Sequence, residues 1–332
     1  MTRPCDVSVV ISTRDRAEPL GHCLRALVNS RATVSFEVIV VDNGSSDATR
    51  AVVESHHQDG AMPLHYVWEP RPGVSYGRNA GIVHARGAII AFTDDDIQVS
   101  ADWVQQVHRV LDEHPEIDCV GGPVLPLWSA PPPEWLDSRH WSPLSVTDYG
   151  SSPFQIDAGH PRCLLTSNLA IRRPVFDRIG AFSPEFPRAQ DHELQVRFWL
   201  SGGRALYSPA LVVHTAVPSD RMRVAYHRLW HSRNGRMCAR MKLRERTAPD
   251  GGLRSPASGG RLVCGIPAFL WRELAGALFD WVVSLPSRDR GGRLEKEMQL
   301  RHLIGYVTEE SRVAWMSLDE PPTFKPEHET AR

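Results

Sequence analysis

Three aspartates stand in a row, Asp94-Asp95-Asp96, directly after the apolar run Ala91-Phe92-Thr93. Adjacent like charges repel, and a strand end gains nothing structurally from that crowding. A divalent cation would relieve it. Carboxylate oxygens suit Mg2+ or Mn2+, which keep waters and bind substrate phosphates through one or two protein carboxylates. The other reading is a solvated acidic turn capping the next helix. A further carboxylate, Asp42, closes the run Val38-Ile39-Val40-Val41 and opens the turn Asn43-Gly44-Ser45-Ser46-Asp47. A helix N-terminus behind that turn suits a phosphate or ribose, and an ordinary strand-turn-helix cap is the alternative. Both acidic sites would fall outside the carboxyl ends of strands, where open α/β sheets bind ligands.

The elements that must position these groups alternate between short β-branched runs and longer amphipathic stretches, the pattern of βα units feeding a mostly parallel sheet. Strands are expected at Val7 to Ser12, Phe36 to Val41, Leu64 to Trp68, Ile89 to Thr93 and Cys119 to Leu125. Between them, Leu20, Leu24, Leu27 and Val28, then Val52 and Val53, then Val104, Val107, Val110 and Leu111 recur at helical spacing. Ser45 or Ser46 would cap the second helix. From Leu127 to Pro161 periodicity gives way to prolines and aromatics, a surface excursion of lid or acceptor-loop type. Patterning resumes at Leu164 to Ile171, with helices at Pro174 to Ile179 and Asp191 to Leu200. The expected organisation is an α/β domain over 1–241, a charged, Pro/Gly/Ser-rich linker over 242–261 and a helical extension over 262–332.

Composition narrows the class. At 332 residues the chain has room for a large domain with an appendage or for two domains. Its 38 basic and 39 acidic side chains give a formal net charge of −1, which argues against a nucleic-acid binder held by phosphate contacts. The six cysteines include no C-x-x-C pair, so neither a zinc ribbon nor a disulfide framework is indicated. The start of the chain lacks signal-peptide character, and the apolar stretch Leu262 to Leu285 is broken by Arg272, Glu273 and Asp280. A reduced, cytoplasmic protein is expected, associated at most with the inner face of a membrane. His227 and His231 have helical spacing but lack the glutamate of H-E-x-x-H, which argues against a zinc peptidase. Asn43-Gly44-Ser45 is a chance glycosylation match in such a chain.

Two more segments complete a pattern: Ser12-Thr13-Arg14-Asp15-Arg16 at the first strand's end, and Gly73 to Gly81 before a helix-like stretch. With Val38 to Asp47, Asp94 to Asp96, Ser167 to Phe182 and Gln190 to Leu200 following in order, the sequence resembles the family 2 glycosyltransferases of GT-A fold over roughly residues 5 to 240. That resemblance implies a nucleotide-binding mixed sheet flanked by helices. It also implies an inverting, metal-dependent transfer of sugar from a nucleotide-sugar donor, with UDP as the nucleotide and GDP or dTDP left open. Thr13, Arg14 and Asp42 would hold the nucleoside, Arg78 would stand near the nucleotide, and the triple aspartate would be the family's D-x-D motif. In it Asp94 points to ribose and Asp96 to the Mn2+ or Mg2+, with Asp95 between the two roles.

Ala189-Gln190-Asp191-His192-Glu193-Leu194 resembles the family's E-D-x-E-L segment, with Gln190 in place of the usual Glu. Asp191 stands where the catalytic base is expected, although carboxylates here would also favour a helix's first turn. His214, after Ala210-Leu211-Val212-Val213, falls where relatives place a histidine near the metal or diphosphate, or is simply satisfied within the fold. Asn168 and the Gly121-Gly122-Pro123 turn match segments near the donor sugar, or form a turn and end a strand. Trp103 and Trp199 belong to the core, whereas Trp128, Trp135 and Trp141 are acceptor-contact candidates.

The apolar helical face from Leu262 to Leu285 packs on the catalytic domain or in a homodimer, or lies at a membrane surface with Arg261, Arg272 and Arg288 nearby. The absence of a Q-x-x-R-W sequence favours single-sugar transfer to a glycan, glycolipid or small-molecule acceptor. A nucleotidyltransferase would need a glycine-rich phosphate loop that Ser12 to Arg16 does not supply, and a dehydrogenase a G-x-G-x-x-G. A catalytically silent nucleotide-sugar-binding scaffold is the remaining alternative.

Overall fold

A computed structural model describes residues 5–60, 62–248, 250–255 and 261–319. Part of the expected linker (256–260) and of the helical extension (320–332) lies outside the described residues. Contacts divide the chain into two units, residues 5–227 with 246–255, and residues 228–245 with 261–319.

The first unit opens as alternating strands and helices: β1 (Val7–Thr13), α1 (Ala17–Val28), β2 (Phe36–Asp42), α2 (Thr49–Gln58), β3 (Leu64–Trp68), α3 (Val74–His84) and β4 (Ile89–Asp94). It continues through β5 (Ile97–Val99), α4 (Trp103–Glu113), β6 (Cys119–Gly121), β7 (Val124–Trp128), β8 (Phe154–Ile156), β9 (Leu169–Arg172), α5 (Pro174–Ile179), α6 (Gln190–Leu200), β10 (Ala205–Tyr207) and β11 (Val213–Val217). Helix α7 (Val224–Arg240) crosses the division, and α8 (Leu243–Arg246), the hairpin β12 (Leu262–Val263) and β13 (Ile266–Pro267), α9 (Ala268–Ser284) and α10 (Arg290–Asp319) follow.

Eight strands form one mixed sheet in the order β3-β2-β1-β4-β9-β6-β10-β8. Its β3-β2-β1-β4 half is parallel, β9 runs antiparallel between β4 and β6, and β8 runs antiparallel on β10. Val9, Val10, Ile11 and Val38 to Val41 are almost wholly buried, as strands covered on both faces require. Helix α1 buries Leu20, Leu24 and Leu27, and α4 buries Trp103, Val104, Val107, Val110 and Leu111, the stripes that their spacing predicts. Trp103 and Trp199 lie in the core, as expected.

The structure differs from the sequence reading in several places. The strand expected over Cys119 to Leu125 breaks at Gly122-Pro123 into β6 of the large sheet and β7 of a second sheet, β5-β11-β7. Proline has no N–H for a ladder, and a Cβ on Gly122 would lie 2.3 Å from the Leu211 carbonyl oxygen, so close packing explains this turn. Neither Ser45 nor Ser46 caps α2. Asp47 Oδ1 accepts from Thr49 N (3.0 Å), while Ser45 Oγ accepts from Asp15 N (2.9 Å) and Ser46 N donates to Asp15 (2.7 Å). Those serines instead fasten the loop after β2 to the loop after β1. The excursion after β7 builds a small core of Leu136, Leu144, Val146, Val217 and Met222, against which Trp128, Trp135 and Trp141 pack. The three indoles rest one side on this core and stay partly exposed on the other. Within the expected linker, α8 is followed by a Thr247–Leu253 bridge.

Helix α3 lies unusually close to β1. A Cβ on Gly81 would come within 2.2 Å of Val10 Cγ1, and one on Gly77 within 2.1 Å of Ser12 Oγ. Two glycines one turn apart thus let the helix backbone settle on the strand, which brings the intervening Arg78 to the strand ends. Gly81→Ala should lower unfolding stability by about 1–3 kcal/mol, the ordinary cost of overpacking against a stiff β-branched neighbour. Urea denaturation measures it, and an unchanged midpoint would show that α3 can move away from Val10.

Candidate active site

The carboxyl ends of β1, β2 and β4 are adjacent in the sheet. Thr13 pairs in register with Asp42, and Ser12 with Asp94. Topology therefore brings together Thr13, Asp42 and the Asp94–Asp96 group, which the sequence separates by up to 83 positions.

Each carboxylate has a distinct environment. Asp42 is buried, and its two oxygens accept from Ser45 N (2.8 Å) and from the Tyr66 hydroxyl (2.9 Å). Burial and the bond to Asp42 push the Tyr66 phenol up to about 12, so Tyr66 remains a donor. Asp94 is partly open to solvent and accepts from Arg78 Nη2 at 2.9 Å. Asp95 turns inward, where it accepts from Thr13 Oγ1 (2.7 Å) and meets Arg16 Nε (2.9 Å). Burial pushes its carboxyl up to about 7, against the lowering effects of Thr13 and Arg16. Asp96 meets Arg16 Nη2 at 2.6 Å. Arginines therefore relieve the repulsion for which the sequence implied a metal.

Arg78 is 5% exposed, its guanidinium carbon lies 5.4 Å from the Phe182 ring centroid, and its Nη1 has no partner among the described residues. A buried guanidinium donor without an acceptor is a ready anion contact. Behind it, Asn43 holds the β3–α3 loop by accepting from Gly73 N (2.7 Å) and donating to the carbonyls of Glu69 and Arg71. Asn79 exchanges hydrogen bonds with both backbone groups of Phe182, at 2.9 and 2.8 Å, and Ser75 donates to the Ser183 carbonyl. These bonds tie α3 to the segment leading into α6.

At the start of α6 the two acidic residues divide their roles. Glu193 is gripped by Arg197 through two bonds of 2.6 and 2.7 Å, and Arg197 also donates to the carbonyls of Ile179 and Ala181. Glu193 is thus a clamp on the end of α5. Among the described residues Asp191 accepts only from the His192 backbone N–H (2.9 Å), and no ion pair takes it. Gln195 fastens this helix to both backbone groups of Leu164.

One expected site residue is spent within the fold, and two others stand in more open settings. Asn168 is 1% exposed, its amide donates to the carbonyls of Pro123 and Leu211, and its oxygen accepts from Trp103 Nε1 at 2.8 Å. Every polar group of that side chain is spent on internal ties, so its assignment to the donor is corrected to a structural one. Arg14 points to solvent, 3.6 Å from Asp15. His214 lies inside β11 rather than after a strand, opposite Gln98, which is two residues beyond Asp96. Among the described residues no three His, Cys, Asp or Glu are gathered closely enough to hold a metal alone. The donor set still fits Mg2+ or Mn2+, because the bonds found engage one oxygen each of Asp94 and Asp96 and such ions complete their shell with water and phosphate. Arg16, Tyr66, Asn43 and Asn79 were given no role by sequence reasoning. For Arg16 a signal existed, a cation just past a strand end in a chain with an unbalanced acidic triplet.

A mixed sheet, parallel over β3-β2-β1-β4 and flanked by helices, with carboxylates gathered at its strand ends, is the architecture of the glycosyltransferases of GT-A fold. The family model for glycosyl transferase family 2 matches residues 8–180, and the chain belongs to that family. It is 27% identical over 241 residues to succinoglycan biosynthesis protein ExoM of Rhizobium meliloti, covering 71% of this chain and 74% of that one. To the glucosyl-dolichyl phosphate glucuronosyltransferase of Haloferax volcanii it is 25% identical, covering 57% of this chain and 59% of that one. The fold is shared with the mannosyltransferase PcManGT from Pyrobaculum calidifontis in complex with GDP-Man and Mn2+, at TM-score 0.62 and 18% identity over 92% of this chain and 88% of that one. It is also shared with S. aureus TarS 1-349 in complex with UDP, at TM-score 0.54 and 17% identity over 94% and 92%.

Arg16→Gln should cost the metal-free protein about 1–2 kcal/mol, because Asp95 and Asp96 lose a half-exposed partner. Millimolar Mn2+ should then raise the melting temperature of the variant more than that of the parent. Equal shifts would show that Arg16 and the metal do not share the carboxylates.

Proposed function

We propose that this glycosyltransferase transfers a single sugar with inversion from a UDP-sugar to an acceptor hydroxyl, in a site that takes Mn2+ or Mg2+. The observation that carries the reading is the convergence of Thr13, Asp42, Asp94 and Arg78 at three neighbouring strand ends. Asp42 receives hydrogen bonds on both oxygens, so it is an acceptor toward a ligand. An acceptor-only carboxylate suits the imide N–H of uracil or thymine, or the N1–H of guanine, and rejects the N3 lone pair of cytosine. Thr13 and Arg14 line the same strand end for the nucleoside, and Arg78 offers its unpaired N–H to the diphosphate.

Asp94 and Asp96 would hold the metal with the donor's oxygens, with His214 as a further contributor, and the bound ion would offset charge on the departing diphosphate. Asp95 supports both from the interior. Asp191 acts as base. Its carboxylate takes the proton of the acceptor hydroxyl as that oxygen bonds the anomeric carbon opposite the departing nucleotide, which inverts the centre. Glu193, clamped by Arg197, is excluded from that role. The acceptor is a glycan, glycolipid or small molecule. The pairing of Arg16 and Arg78 with all three aspartates favours a second reading, donor binding without metal, and a chelator separates the two.

Asp191→Asn should reduce donor turnover at least 100-fold, the scale of a lost general base, while nucleotide binding by calorimetry stays within about twofold. Retained turnover would remove Asp191 from the chemistry, and lost binding would assign it to the donor pocket.

A further inference from the structure

More than half of the large apolar side chains that stand exposed among the described residues fall between positions 262 and 285, in the second unit. Helix α9 is apolar on two faces. It packs against α10, and its more covered stripe is Leu270, which is buried, with Leu274, Ala277 and Trp281, which are partly buried. The other stripe, Trp271, Leu278, Phe279 and Val282, is 37% to 67% exposed. Trp271 Nε1 donates to the Val263 carbonyl at 3.1 Å, which joins this stripe to the β12–β13 hairpin, where Leu262 is 60% exposed. Leaving so much apolar surface in water is unfavourable, and a contiguous patch of this kind marks a contact surface.

The charges around it identify the occupant. Arg261, Arg272, Arg288 and Arg290 are exposed, and none is engaged in an ion pair found among the described residues. The nearby Glu273 pairs with Arg244 at 3.0 Å, Asp289 between Arg288 and Arg290 accepts from Gly292 N at 2.9 Å, and Asp280 lies about half a turn away from the exposed stripe, so four arginines stand against two exposed aspartates. A two-fold pairing of this face with a second copy would set arginines against arginines. No described helix is long and apolar enough to cross a membrane. We propose that this face binds an anionic lipid surface, with Trp271, Leu278, Phe279 and Val282 entering the headgroup boundary and the arginines meeting lipid phosphates. Contact of this kind is independent of which donor the catalytic unit uses.

The test is sedimentation of the full chain with phosphatidylcholine vesicles, with and without phosphatidylglycerol. The expected result is binding to the anionic vesicles alone, weakened by salt. Leu278→Glu with Phe279→Glu should lower it at least tenfold, and Arg272→Glu with Arg288→Glu should lower it without removing any apolar surface. Both double variants alter exposed side chains, so their melting transitions should match the parent; should the first fail to fold, the second carries the test. No binding to anionic vesicles would overturn the proposal, as would unchanged binding in the folded variants. A concentration-dependent dimer dispersed by Leu278→Glu with Phe279→Glu would overturn it in favour of a second copy.

Discussion

Four carboxylates crowd the ends of adjacent parallel strands, and much of the first unit is arranged to make that crowding tolerable. Asp42 stands two strands away, and Asp94, Asp95 and Asp96 repel one another in a site partly shielded from water. Two guanidinium groups, Arg16 just before α1 and Arg78 on α3, reach the last three, while Tyr66 and the Ser45 N–H satisfy the first. In the proposed function a donor diphosphate and a divalent cation would enter this charge balance by exchange, each new ionic contact replacing an existing one.

That balance dictates local structure some distance away. Arg78 reaches Asp94 because Gly77 and Gly81 let α3 rest on β1. The β3–α3 loop that starts the helix is held by Asn43, and the segment beyond it by Asn79, two amides that act as substitutes for backbone pairing. The same segment leads to α6, where Arg197 clamps Glu193 and, among the described residues, Asp191 enters no ion pair. The side chains proposed for chemistry thus depend on neighbours placed for hydrogen bonding alone.

The parallel half of the sheet was legible because buried β-branched runs and helical stripes leave clear periods, and strand-end aspartates read as a site because charge there has no structural use. Side-chain destinations were less legible. Asn168 reads the same whether it meets a ligand or ties Trp103 to two carbonyls, since either use needs only an amide. Trp128, Trp135 and Trp141 lie in a stretch without periodicity, so nothing local tells that they pack against a small core of Leu136, Leu144, Val146, Val217 and Met222. Tyr66 reaches Asp42 only because β3 lies beside β2, a pairing that one sequence does not spell out. The break at Gly122-Pro123 was written in the sequence as a missing N–H, yet the apolar residues on either side masked it.

The central claim is that these carboxylates form a nucleotide-sugar site completed by a divalent cation. Its most direct test is calorimetric titration of UDP, with CDP as control, into the full chain with Mn2+ and with chelator, repeated on Asp96→Ala. The account predicts UDP binding that requires Mn2+, far exceeds that of CDP and is lost in a folded Asp96→Ala protein. UDP binding of equal strength with chelator, or in Asp96→Ala, would contradict it.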